Sequence, residues 1–113
     1  MNFTLKTAAL WIVRIASAAL FLMAGSAKLT GGDAEVFAKI GLGQWFRYFT
    51  GVLEALGAIL LVTPLALYGA ALLVPVMVGA AATHIFIVGG SPAMALVLLA
   101  AMLFVVWGKW GGK

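Results

Sequence analysis

Four apolar runs separated by short stretches rich in glycine and proline make up most of this chain, and they occupy residues 7–29, 46–63, 66–88 and 92–109. A helix needs about 20 mainly apolar residues to cross the hydrocarbon core of a bilayer. The chain is 65% hydrophobic and only 9% charged, whereas soluble domains contain roughly a quarter charged residues. The sequence therefore predicts an all-α, four-transmembrane-helix bundle that forms a single domain over residues 1–113.

The stretch between the first two runs, residues 30–45, is the one with mixed polarity. Gly31 and Gly32 predict the end of the first helix, and Asp33 predicts the N-cap of a short second helix. The apolar residues of that short helix share one face: Val36, Phe37 and Ile40. An amphipathic segment of this kind is typical of a helix lying in the membrane interface.

Aromatic and basic residues indicate how the bundle is placed in the membrane. Amphipathic rings are enriched at both membrane surfaces, and the predicted spans bring four rings toward one face and two toward the other: Trp11, Tyr68, Trp107 and Trp110 against Trp45 and Tyr48. Arg14 adds a positive charge to the half of the first helix nearest the termini. We therefore predict an integral protein of a bacterial-type inner or plasma membrane, with both termini in the cytoplasm.

Ionisable residues inside the spans are the strongest indication of a site. Each intramembrane charge costs roughly 2.5–3.5 kcal/mol on insertion scales and normally faces a partner or a cavity. At 100° per residue, the polar residues of the first two helices fall on one stripe of each helix. The predicted polar or binding cluster consists of Arg14, Lys28, Arg47, Thr50, Glu54 and His84.

Glu54 is the single acid in these stripes, so its partner is the central question. The rise of about 1.5 Å per residue brings Arg14 near the depth of Glu54, which makes Arg14 the expected first partner, with Lys28 or His84 joining them. Because bases outnumber the acid, the cluster would accept a carboxylate, an inorganic anion, a lipid headgroup or a quinone carbonyl. A purely structural clamp that sets the helix register is the alternative interpretation.

Composition removes several kinds of chemistry from consideration. The chain has no cysteine, one histidine and three acidic residues. Thiol chemistry and iron–sulfur ligation therefore have no ligands here, and we expect no metal site. The net charge of +4 is spread without a basic run, so no nucleic-acid partner is expected. No catalytic residue is predicted.

An arginine followed by "FLMAGSAKL", then "TGVLEALGAILL", and then "THIFIVGG" occur in this order along the chain. These three segments resemble the DoxX family of small membrane proteins, including its DoxX-like branch. The resemblance covers nearly the whole chain in order. It implies a four-helix membrane fold and an association with membrane oxidoreductase assemblies, such as thiosulfate:quinone oxidoreductase subunits. The family is also similar to eukaryotic membrane proteins that assist receptor assembly.

These observations favour an accessory or binding subunit whose buried Arg–Glu–Lys–His cluster binds a small ligand, a lipid or a partner helix. The alternative is a quinone-linked oxidoreductase subunit, with quinone as its cofactor and the electron-transfer chemistry supplied by another protein. A small proton-coupled transporter ranks third, because a buried arginine suits cationic substrates poorly. The expected partners are the lipid bilayer and either other membrane subunits or further copies of this chain, in contact with the apolar fourth helix.

Overall fold

The computed structural model describes residues 3–110, and these form five α-helices without a strand. The helices are α1 (Phe3–Leu29), α2 (Ala34–Ile40), α3 (Gln44–Leu61), α4 (Ala66–Thr83) and α5 (Ala93–Lys109). A π-helical segment, His84–Val88, continues α4 toward the next turn. The prediction of an all-α fold is confirmed.

The helix bounds differ from the predicted spans at several ends. The first helix begins at Phe3 rather than at residue 7, and α3 begins and ends two residues before the predicted second span. Within residues 3–110, two helical segments are long and apolar enough to cross a membrane, namely Thr4–Leu29 and Ala66–Val88. The apolar helix α5 is shorter, with 17 residues. The number of spans therefore stays a prediction.

Glycines end α1 and α2 where the sequence placed the breaks. Gly31 has φ +108°, and the N–H of Gly32 donates to the carbonyl of Ala27 at 2.6 Å. Gly41, with φ +87°, follows the last turn of α2. Asp33 occupies the predicted N-cap position of α2, but its side chain makes no capping hydrogen bond. Its carboxylate lies 3.5 Å from Lys28 Nζ instead.

The helices α1 and α3 pack against each other through two glycines. A Cβ atom added to Gly25 would lie 2.7 Å from the carbonyl oxygen of Gly51, too close for any real side chain. This contact lets the two backbones approach closely, as small residues do between membrane helices. It therefore sets the separation of the helices that carry Lys28 and Glu54.

The apolar core lies between α1, α3, α4 and α5, and its fully buried members include Phe21, Leu61, Leu73, Met102 and Val105. Near the α3–α4 turn these two helices are in direct contact, because Leu73 fills the space beside Gly57. Farther from the turn a cavity lies between them. The short helix α2 packs beside its open end with Phe37 only 6% exposed. The apolar face of α2 thus turns toward the cavity.

Candidate functional site

A cavity of about 450 Å³ lies between α3 and α4 and is covered by α2. One face of α3 forms its wall, at the helical spacing of i, i+3, i+4, i+7 and i+8: Phe46, Phe49, Thr50, Leu53 and Glu54. The opposite wall belongs to α4, where Pro75 and Gly79 lie one turn apart. The size and the largely apolar lining are typical of sites for small organic ligands.

Glu54 is the buried polar centre of this cavity. Its side chain is only 2% exposed, and Lys28 Nζ lies 2.7 Å from its Oε1 atom. Lys28, itself 13% exposed, also lies 3.5 Å from Asp33 Oδ2. One ammonium group is thus shared between a buried carboxylate and a half-exposed one. Lys28 is the base that the structure pairs with Glu54.

Arg14 does not join this cluster, and the predicted Arg14–Glu54 contact is wrong. Arg14 Nε donates to the carbonyl of Leu61 at 2.7 Å, and Nη2 donates to the carbonyl of Thr63 at 2.9 Å. The guanidinium also lies 3.7 Å from the ring centroid of Trp11. The last carbonyls of a helix lack partners within the helix and attract cations. Backbone carbonyls at the end of α3 and in the turn that follows it, and not Glu54, therefore bind Arg14.

Arg47 is buried but does not line the cavity. Its Nε donates to Gln44 Oε1 at 2.7 Å, and its Nη1 donates to the backbone carbonyl of Lys28. Gln44 in turn donates to the carbonyl of Ala34. Arg47 therefore joins the end of α1 to the start of α3 and, through Gln44, to the first turn of α2.

Thr50 and His84 both line the cavity. Thr50 Oγ1 donates to the carbonyl of Phe46 at 2.8 Å, one turn earlier in α3. His84 begins the π-helical segment, and its Nδ1 lies 3.2 Å from the carbonyl oxygen of Gly89. Local π-helical turns are rare and occur frequently at functional sites. The structure thus brings four of the predicted residues to one cavity: Lys28, Thr50, Glu54 and His84.

The charge balance of the cavity differs from the predicted surplus of bases. Its charged lining residues are Lys28, Asp33 and Glu54, one cation against two carboxylates. The prediction failed because it counted Arg14 and Arg47, which bind backbone carbonyls elsewhere. It also missed Asp33, whose proximity to Lys28 across the Gly31–Gly32 turn was the available signal.

Within residues 3–110, no three histidine, aspartate or glutamate side chains come together as a metal site would require. The lining groups that offer chemistry are an ammonium, two carboxylates, two hydroxyls and an imidazole. Aromatic side chains complete the cavity, with the Phe37 and Phe46 ring centroids 5.7 Å apart. The arrangement combines a polar end with an apolar body, which fits an amphiphilic molecule.

Comparison with known proteins places the whole cavity inside a family match. No curated protein and no solved structure matches the chain significantly. The family model described as the DoxX-like family matches residues 12–107, a range that includes every residue lining the cavity. This match and the long apolar helices indicate a small membrane protein. Because the match covers most of its length, the chain belongs to the DoxX-like family.

Proposed function

We propose that this protein is an integral membrane protein that binds a small amphiphilic ligand in the cavity between α3 and α4. It would act as a binding or accessory subunit. The observation that carries the proposal is the Lys28–Glu54 ion pair on the wall of an otherwise apolar cavity. Charged groups at membrane depth are costly, and they commonly mark ligand or ion sites.

The outer surface supports four membrane-spanning helices: α1, α3, α4 with its π-helical segment, and α5. On α3, Arg47 and Glu54 are buried, while Val52 and Ile59 are 51% and 55% exposed. On α5, Val97 is 63% exposed. A helix with charges inside and apolar groups outside needs lipid or a partner subunit as its surroundings. The exposed rings Trp45, Tyr68 and Trp107 support two interfacial belts.

A cavity-filling substitution tests the proposed site. Gly79 lines the cavity, and a Cβ added there meets nothing within 4 Å. Gly79→Leu should therefore fold and take up part of the cavity. The probe is phenylbutanol, a small neutral amphiphile, measured by equilibrium dialysis against the detergent-purified protein. We expect binding to weaken at least about tenfold, because the added side chain and the ligand compete for one volume.

The matched control is Ala100→Leu, which adds bulk to the exposed side of α5, outside the cavity. It should leave phenylbutanol binding unchanged. If Gly79→Leu and Ala100→Leu bind the probe as well as the natural sequence does, the cavity is not the site. Absence of phenylbutanol binding by both the natural sequence and the Ala100→Leu control would also contradict the proposal.

A quinone-linked subunit is a second candidate, favoured by the position of Lys28. Its ammonium group lines a cavity with aromatic walls, where it would donate to a quinone carbonyl while the ring contacts Phe46 and Phe49. Another subunit would then supply the electrons. The test is extraction and chromatography of quinone from protein purified from membranes. Retention that Lys28→Met abolishes, and that Lys39→Met does not change, would support this candidate. Quinone retained equally by both variants would contradict it.

A further inference from the structure

We infer that the cavity selects a lipophilic amine, meaning a ligand whose ammonium group lies between Asp33 and Glu54 and whose apolar body lies between α3 and α4. This inference rests on the proposed function and specifies the ligand class. It differs from the expectation of an anionic or electron-rich ligand, because the bases that led to that expectation lie outside the cavity. Arg14, the obstacle to a cationic ligand, is bound at the far end of α3.

The first argument is the charge of the lining. Glu54 is 2% exposed and Asp33 is 52% exposed, while Lys28 is the one ammonium group between them among the described residues. One cation for two carboxylates leaves one negative charge in excess in a site of low polarity. A second ammonium group, supplied by the ligand, would balance that charge, and an anionic ligand would increase the imbalance.

The second argument is the geometry at Glu54. Lys28 Nζ lies 2.7 Å from Oε1 and is the one charged partner of Glu54 among the described residues, and Glu54 shares this ammonium group with Asp33. A buried carboxylate accepts several hydrogen bonds, and those from charged donors are among the strongest in proteins. An ammonium group carries three N–H donors and no acceptor. A ligand ammonium group would therefore give Glu54 and Asp33 a second cationic donor beside Lys28.

The third argument is the aromatic wall beside the carboxylates. Phe37, Phe46 and Phe49 line the cavity, and the Phe46 and Phe49 rings stack with centroids 6.3 Å apart. Aromatic faces attract cations, most strongly where water is excluded. The half-exposed Asp33 and the buried Glu54 place negative charge both at the opening and inside, which would favour entry of a cation.

A ligand series on the natural sequence gives the primary test. Phenylbutylamine, phenylbutanol and phenylbutyrate share one apolar body and differ in the head group. We expect the amine to bind at least about tenfold more tightly than the alcohol, and the carboxylate to bind most weakly. Equilibrium dialysis against the purified protein measures all three. This ranking requires no variant, so a folding defect cannot affect it.

Two variants change the charge balance in opposite directions. Glu54→Gln should reduce amine binding at least about tenfold while changing phenylbutanol binding little. Lys28→Gln removes the competing ammonium, so amine binding should increase several-fold and the amine should raise the melting temperature of this variant more than that of the natural sequence. The matched control is Glu35→Gln, because Glu35 is an exposed acid on α2 that does not line the cavity.

An ammonium group on an apolar chain occurs both in small amines and in the headgroups of aminophospholipids. Nanodiscs of phosphatidylglycerol, with or without phosphatidylethanolamine, distinguish these sources, since a bound headgroup would compete with phenylbutylamine. Tightest binding of phenylbutyrate or phenylbutanol would overturn the amine inference and leave the ligand cavity supported. Absence of binding by all three compounds would overturn both proposals. The inference would also be overturned if the natural sequence bound the amine more tightly than the other two compounds and Glu54→Gln bound the amine equally well.

Discussion

Lys28 Nζ lies 2.7 Å from Oε1 of Glu54, so an ion pair joins the last turn of α1 to the middle of α3 on the wall of the cavity. Both residues are largely buried, and Glu54 is nearly inaccessible. Removing one member of a buried ion pair leaves the other charge without compensation, which costs more than the pair itself contributes. The pair therefore links the stability of the bundle to the chemistry of its cavity.

The first prediction concerns this pair. Lys28→Met should lower the free energy of unfolding by about 3 kcal/mol, because Glu54 remains buried without a counter-charge. The double variant Lys28→Met/Glu54→Leu should be more stable than Lys28→Met alone. Denaturation in one detergent, monitored by circular dichroism, measures the free energy of unfolding of each variant. Lys39→Met, at an exposed position, is the control. A double variant that is no more stable than Lys28→Met would contradict an energetic coupling between the two residues.

The second prediction concerns Arg14. Arg14→Met removes two hydrogen bonds that a charged donor makes to the carbonyls of Leu61 and Thr63. The free energy of unfolding should therefore fall by about 3 kcal/mol. Because Arg14 does not line the cavity, the folded variant should bind phenylbutanol with unchanged affinity. Dialysis at a temperature well below the unfolding transition separates the two effects. A well-folded Arg14→Met protein with no affinity for the probe would show that Arg14 belongs to the site.

The third prediction compares two glycines. Gly25→Ala should destabilise the bundle by about 1–3 kcal/mol, since its Cβ would meet the Gly51 carbonyl at the α1–α3 contact. Gly79→Ala should be neutral or stabilising by up to about 1 kcal/mol, because it adds helix propensity where a Cβ meets nothing within 4 Å. Thermal unfolding of the two variants in one detergent provides the comparison. Equal effects would mean that the close helix contact does not form.

The fourth prediction concerns the membrane topology. The chain has no cysteine, so each introduced cysteine reports on one position. With four spans and cytoplasmic termini, Lys39→Cys should react with an impermeant maleimide in intact cells, and Lys109→Cys only after permeabilisation. Val97→Cys, on the exposed side of α5, should react only after denaturation, because lipid covers it. Rapid labelling of Val97→Cys in intact membranes would rule out a lipid-facing α5.

The wall of the cavity shows what helical periodicity predicts and where it stops. Thr50 and Glu54 share a stripe of α3 in the sequence, and the structure places both on the cavity wall. Phe46 and Phe49 belong to the same face by the same spacing. Periodicity identifies a face, but it does not reveal whether the facing helix touches it. Helix α4 touches α3 near Gly57, whereas beside Glu54 the cavity separates the two helices.

Arg14 shows the limit of estimating depth along an axis. Counting residues placed Arg14 within reach of Glu54, yet α3 ends near Arg14, and its last carbonyls accept the guanidinium hydrogen bonds. A count of rise per residue contains no information on the unpaired carbonyls of a neighbouring helix. The same limit applies to Asp33, whose sequence position indicated a cap, while its φ of +66° and the Gly31–Gly32 turn bring it to Lys28 instead.

The sequence by itself determined the all-α class, the approximate helix boundaries, the family and the stripes that carry the polar residues. These follow from apolar run lengths, glycine and proline breaks, and the 3.6-residue period, all of which are local properties. Only the tertiary structure decided which charges meet: Lys28 with Glu54 and Asp33, and Arg14 with the end of α3. Partner choice depends on the separation and relative height of helices distant in sequence. Contacts such as Gly25 with Gly51 set these distances, and no local pattern encodes them.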